Sequence, residues 1–161
     1  MKKKVVLDLV VIIAVAFGMQ FSAEAHNIKV PPFHGTDAYG IEHDMSDYAG
    51  KTKVLYFWAT WCPACRRETK AINNLQPLLR EKGVEFISVS LDKDVAALQA
   101  YIEQNKIEYP VLFDGKGWEN EMAQLYGVNG TPSFLVIDKN DELVTQGSWN
   151  KQLESYVIAN E

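Results

Sequence analysis

The chain has 161 residues, 47% apolar and 23% charged, with 10 Gly and 6 Pro, the proportions of one globular domain rather than of a disordered, collagen-like or polytopic membrane chain. Sixteen Lys and Arg stand against 21 Asp and Glu, so the net charge is −5 and no basic field exists to gather nucleic acid or hold an anionic membrane. The two cysteines, Cys62 and Cys65, are too few for a disulfide-stapled scaffold and must act as a pair.

Lys2, Lys3 and Lys4 precede a mostly apolar run from Val5 to Phe21 that Asp8 breaks, and Ser22-Ala23-Glu24-Ala25 puts small residues where a signal peptidase reads. Residues 1–25 therefore read as a secretory signal cleaved after Ala25, with an uncleaved N-terminal anchor as the alternative. No cysteine lies near enough to carry a lipid. Losing this segment removes three lysines against Asp8 and Glu24, so residues 26–161 form a still more acidic single domain. Export places that domain in a periplasmic or other extracytoplasmic compartment, soluble after cleavage or tethered without it. Cysteines there usually cross-link the fold, but a two-residue spacer closes too small a loop to constrain the unfolded chain, which favours redox chemistry.

Residues 26–50 are rich in His, Gly, Pro, Asp and Tyr and predict an irregular lead-in with one short hairpin around Ala38–His43. Lys53–Ala59 (KVLYFWA) predicts a central strand. From Pro63 to Lys82 apolar residues recur at threes and fours (Ala64, Ala71, Ile72, Leu75, Leu78, Leu79), predicting a helix that Pro77 kinks or interrupts and Gly83 stops. Val84–Leu91 alternates as a second strand, and Asp92 or Asp94 can cap a helix reaching about Asn105. Pro110–Phe113 is short and extended, Gly117–Tyr126 predicts a helix ended by Gly127, and Ser133–Ile137 (SFLVI) is a third long strand. A turn at Lys139-Asn140-Asp141 leads to an antiparallel partner over Glu142–Gln146, and a last helix is expected over Asn150–Ala159. The alternation predicts an α/β fold with strands of mixed direction.

Trp61-Cys62-Pro63-Ala64-Cys65 falls where the first long strand meets its helix, so Cys62 takes the N-cap region and Pro63 the first turn, where a missing N–H costs nothing. Free N–H groups and the positive helix end favour a thiolate at Cys62, while Cys65, one turn inside, is shielded yet able to attack a mixed disulfide. Cys62 is accordingly the expected nucleophile and Cys65 the resolving thiol, with Trp61 and Pro63 flanking the substrate. A zinc half-site is the alternative, but only His26, His34 and His43 could complete it. Glu68 lies four residues after Ala64 and four before Ile72, on the apolar stripe of the same helix and one turn past Cys65. Burial there would raise its pKa and let it exchange protons with Cys65; the alternative is a rim glutamate turned to solvent among Arg66, Arg67 and Lys70.

FWATWCPACRRE at Phe57–Glu68 and GVNGTPSFLVID at Gly127–Asp138 resemble the thioredoxin superfamily, and within it the exported TlpA/ResA/DsbE-like branch, from about Ser46 onward. The resemblance implies a thioredoxin-like fold, with a central mixed sheet flanked by helices and a segment inserted between the second and third long strands. It implies that Pro132 is a cis-proline packed on the cysteine pair, that the Thr131 backbone pairs with a substrate chain, and that Glu68 is the functional glutamate of a CxxCxxE motif. No cofactor or metal is implied beyond the cysteine pair itself. Two departures stand out: Ser133 replaces the acidic residue many cytochrome-maturation members carry after the cis-proline, and Ala71 stands where a kink proline is expected.

Tyr56, Phe57 and Trp58 read as core on the central strand, and Trp118 as core too, with a partner groove as its alternative. His34 and His43 read as surface residues, and Asp92, Lys93 and Asp94 as loop and helix cap. The resulting expectation is a monomeric thiol:disulfide oxidoreductase that takes electrons from a membrane thiol donor and reduces protein disulfides, an apocytochrome c among them. A disulfide oxidant or isomerase is second. A peroxiredoxin lacks its Thr three residues before the cysteine, where Ala59 stands, and a redox-inactive peptide-binding module would not need two cysteines.

Overall fold

The computed structural model describes residues 28–148; the expected helix over Asn150–Ala159 and the segment 1–25 lie outside them. The lead-in forms a hairpin of β1 (His34–Thr36) and β2 (Glu42–Asp44), running into a 3-10 turn at Met45–Tyr48. The predicted hairpin region therefore supplies the turn and the second strand. Three elements follow at the predicted places: β3 (Lys53–Trp58), α1 (Pro63–Glu81) and β4 (Glu85–Ser90). The chain then forms α2 (Val95–Asn105), β5 (Val111–Leu112), a 3-10 turn (Gly117–Glu119), α3 (Glu121–Leu125), β6 (Ser133–Ile137) and β7 (Leu143–Gly147).

Five strands make one mixed sheet in the order β5-β4-β3-β6-β7. β3 is parallel to β4 and antiparallel to β6, and β4 is parallel to β5. Every residue of β3 is buried, as a central strand covered on both faces requires. Tyr56, Phe57 and Trp58 are core residues as expected, Tyr56 stacking on Phe134 with ring centroids 4.3 Å apart. The lead-in covers the β5 edge through Ala38 N–H to Val111 O (2.9 Å) and Phe113 N–H to Thr36 O (2.9 Å), leaving that edge no free ladder to recruit another chain.

α1 is not interrupted at Pro77, which stands at an exposed position within Pro63–Glu81. The helix ends where Gly83 takes a φ of 72°, with Val84 N–H on Leu79 O (2.9 Å) and Gly83 N–H on Arg80 O (3.1 Å), the paired bonds of a Schellman stop. The single helix expected over Gly117–Tyr126 is divided at Asn120, whose φ of −54° and ψ of 129° leave the helical region while its side chain accepts the Ala123 N–H. His43 is not a free surface residue: its Nδ1 lies 2.7 Å from Tyr48 Oη and its Nε2 3.4 Å from Asp37. Burial pushes the Tyr48 hydroxyl up to about 12. His34 is exposed.

Candidate active site

Ala59-Thr60-Trp61 carries the chain from β3 into α1, with Cys62 as the helix N-cap and Pro63 in the first turn. Cys62 and Cys65 are joined as a disulfide with Cα atoms 5.3 Å apart. The Cys65 N–H points at Cys62 Sγ over 3.2 Å, so a free helix-end donor addresses the outer sulfur. Cys62 is more enclosed than the sequence suggests, keeping 4% of its surface; Cys65, expected to be shielded, keeps none, and Trp61 is 53% exposed. The order of access still favours Cys62.

Glu68 is half-buried one turn beyond Cys65. Desolvation raises its pKa, opposed by a hydrogen bond from Tyr56 and by the charge of Arg67. Tyr56 Oη donates to Glu68 Oε2 at 3.4 Å, and burial, aided by that carboxylate, pushes the phenol pKa up. The carboxyl thus sits between the two readings: it faces the core through Tyr56 yet keeps contact with water. Nearby, Thr69 Oγ1 bonds to Cys65 O (3.1 Å) and contacts Tyr101 Oη (3.1 Å).

The Thr131–Pro132 peptide is cis. Phe57 pairs with Ser133 in the antiparallel β3–β6 register, so one step further Pro132 lies opposite Trp58, at the end of the sheet that leads into the cysteine turn. Ser133 Oγ bonds to Gly130 O (2.6 Å) and ties this loop together. The topology therefore gathers Trp61, Cys62, Pro63, Thr131 and Pro132 at one end of the sheet. Among the described residues no group of three metal-ligating side chains converges, and both sulfurs are engaged with each other.

Two residues have a different place from the one the sequence suggests. Asp94, not Asp92, caps α2, accepting from Ala96 N (2.9 Å) and Ala97 N (3.1 Å). Asp92 is buried and accepts from Thr60 N (3.0 Å), Thr60 Oγ1 (2.6 Å) and Ser90 Oγ (2.7 Å), clamping the cysteine turn to the end of β4. Its signal in the sequence is position: it closely follows a strand parallel to β3, at the ends where such sheets hold their sites. Trp118 is not core but 47% exposed, its ring 6.2 Å from that of Trp61, because the 3-10 turn carrying it lies outside the sheet.

A five-stranded mixed sheet with a disulfide at the N-terminus of its first long helix, and a cis-proline at the head of the strand antiparallel to β3, defines the class of thioredoxin-fold thiol–disulfide exchange proteins. The chain belongs to the Redoxin family, whose model matches residues 25–154, and is a thiol:disulfide oxidoreductase of the TlpA/ResA/DsbE-like kind. It is 37% identical over 142 residues to the thiol-disulfide oxidoreductase ResA of Bacillus anthracis, covering 86% of this chain and 78% of that one. To the ResA of Geobacillus kaustophilus it is 32% identical, over 84% of this chain and 78% of the other. A Chlorobium tepidum structure assigned to thiol:disulfide interchange protein DsbE superposes with a TM-score of 0.74 at 30% identity, over 83% of this chain and 95% of that one. A secreted Mycobacterium tuberculosis disulfide oxidoreductase shares the fold, with a TM-score of 0.68 at 24% identity over 80% and 96% of the two chains.

Proposed function

We propose that the protein is an exported reductant of protein disulfides in which Cys62 attacks and Cys65 resolves. The observation that carries this reading is the Cys65 N–H directed at Cys62 Sγ, with Cys65 itself enclosed. In the reduced protein the Cys62 thiolate, favoured by the helix end, attacks one sulfur of a substrate disulfide and expels the other as a thiolate. Cys65, losing its proton to Glu68, then attacks Cys62 Sγ, releasing the second substrate sulfur and closing the Cys62–Cys65 bond. Two electrons pass to the substrate, whose two thiolates take up protons. Trp61, Pro63 and the Thr131–Pro132 backbone hold the substrate chain beside the sulfurs. Residues 1–25 direct export and 26–161 form the working domain. A membrane thiol donor restores the dithiol, and an apocytochrome c is a candidate substrate.

The test has two arms. Cys65→Ser is expected to accumulate a mixed disulfide with a substrate through Cys62, and Cys62→Ser to accumulate none; trapping through Cys65 instead would reverse the roles. A redox titration of the wild-type pair separates direction: a midpoint near about −270 mV fits a reductant, whereas one near about −120 mV makes the protein an oxidant.

A further inference from the structure

The loop that carries the chain from α3 to the cis-proline contains one chemically labile peptide. Asparagine is among the thermolabile residues, because the backbone nitrogen of the next residue can attack its side-chain amide. Glycine in that next position removes the side chain that would hinder the approach. Asn129 precedes Gly130, and no other asparagine of the chain precedes a glycine. Asn129 is exposed and lies in neither helix nor strand. Among the described residues no hydrogen bond takes up its carboxamide or the Gly130 N–H, while the Gly130 carbonyl is tied to Ser133 Oγ at 2.6 Å. A Cβ built on Gly130 would meet nothing within 4 Å, so the loop has room for the two reacting groups to meet. The related dipeptide Asp114-Gly115 is held differently, since the Asp114 carboxylate accepts the N–H groups of Lys116 (3.0 Å) and Glu121 (3.0 Å). The side chains of Asn120 and Asn140 are engaged as well, with Ala123 N and with Asp138.

We infer that Asn129 is a modification site that deamidates spontaneously in the folded protein and thereby alters the loop presenting Thr131 and Pro132. The Gly130 nitrogen, having lost its proton, attacks Asn129 Cγ, closes a five-membered succinimide and expels the amide nitrogen as ammonia. Water then opens one of the two ring carbonyls. Opening at Cγ restores the main chain with Asp at this position. Opening at the main-chain carbonyl leaves the chain running through the side chain, an isoaspartate with one extra backbone carbon. Either product adds a negative charge two residues before Thr131; water is the only co-reactant, and nothing is oxidised or reduced. The consequence for activity rests on the reductase reading, in which the Thr131 backbone pairs with a substrate chain. A backbone carbon inserted just ahead of Thr131 shifts that pairing edge relative to the cysteine turn.

The experiment ages the folded, oxidised protein in mildly alkaline buffer over days, beside Asn129→Gln, whose longer side chain would have to close a disfavoured six-membered ring, and Gly130→Ala. Samples are digested and read by peptide mass and by enzymatic methylation of isoaspartate. Wild type is expected to gain an acid at residue 129, Gly130→Ala to gain it more slowly, and Asn129→Gln to gain none there. After reduction, the isoaspartate fraction of wild type is expected to reduce a peptide disulfide with kcat/KM lower by about tenfold, the size of effect a displacement of about 1 Å produces. Asn129→Gln aged alongside is expected to keep its starting rate, which separates deamidation from general ageing. Absence of the acid in folded wild type overturns the inference and leaves the reductase reading intact; a free peptide of residues 127–133 that does acquire it would assign the protection to the fold. An isoaspartate fraction as fast as fresh wild type overturns the claimed effect on the loop. If fresh wild type reduces no peptide disulfide, the reductase reading falls, while the mass readout still decides the modification.

Discussion

Glu68 carries two opposed influences in one side chain. Burial favours its neutral form, while the Tyr56 hydroxyl and Arg67 favour the carboxylate, and burial is the largest of the three. Below the ordinary value of 4.5 both folded and unfolded chains hold the proton, and the group makes no difference to stability. As pH rises toward the elevated folded value the unfolded chain loses its proton first, so the folded state binds more protons and stability falls. Above the folded value the full penalty persists. Glu68→Gln, which can still accept from Tyr56, is therefore expected to be more stable than wild type at neutral pH and equal to it at about pH 4. Urea midpoints across that range check this. Reduction of a peptide disulfide by the same variant should slow and lose its dependence on a group titrating above the ordinary carboxyl range, because the resolving thiol has lost its proton acceptor. Superimposable wild-type and variant pH–rate profiles would leave Glu68 a structural glutamate.

At the scale of elements, the site depends on two parallel strands ending side by side. β3 leads into Thr60 and the cysteine turn, β4 leads into Asp92, and Leu91 N–H bonds to Trp58 O at 2.8 Å where the strands part. Asp92 extends that ladder by three more hydrogen bonds to Thr60 and Ser90, so the turn before Cys62 is braced rather than free. Asp92→Ala would leave the Thr60 N–H and two hydroxyls without this acceptor, an expected loss of about 3 kcal/mol in denaturant unfolding. Asp92→Asn, which keeps one carbonyl acceptor, is expected to lose about half of that. Mixed-disulfide formation at Cys62 should slow in the same order, since both variants loosen the turn that presents the sulfur. Equal stability of Asp92→Ala and wild type would show that water replaces the carboxylate without loss.

Across the whole molecule, the first and last parts of the sheet are joined by a buried lysine. Lys53 opens the central strand with none of its side chain exposed and reaches Asp141 in the β6–β7 turn over 2.7 Å, while also donating to Lys51 O at 2.9 Å. Asp141 takes a φ of 64°, in the left-handed region that aspartate tolerates better than most residues. Removing the acid leaves the ammonium enclosed with one carbonyl, so Asp141→Ala is expected to cost about 2 kcal/mol, less than a broken fully buried pair because the acid is partly in water. Asp141→Gly relaxes the backbone but also breaks the pair, and should recover only part of that loss. Lys53→Met combined with Asp141→Gly should approach wild-type stability, and additivity of the two changes would argue against the pairing.

Lys53–Trp58, Pro63–Glu81 and Ser133–Ile137 were legible as elements because their signals are local: an unbroken apolar run, a three-to-four spacing with a proline in its first turn, and a β-branched stretch after a turn. The cysteine pair at a strand-to-helix junction and the half-buried place of Glu68 follow from the same short-range geometry. The cis-proline, by contrast, was expected only through family resemblance. Asp92 and Trp118 were misplaced by local reading, since each is defined by a partner far away in the chain, Thr60 for Asp92 and Trp61 for Trp118; His43 was misplaced because the irregular lead-in, which has no periodic signal, folds it onto Tyr48 five residues on. Sequence spacing determines what a residue meets within one turn or one strand, and so it determined the redox pair, its helix and the order of the elements. Strand pairing brings together residues dozens of positions apart, and so only the tertiary structure decided how Asp92 braces the cysteine turn and that Trp118 stands beside Trp61.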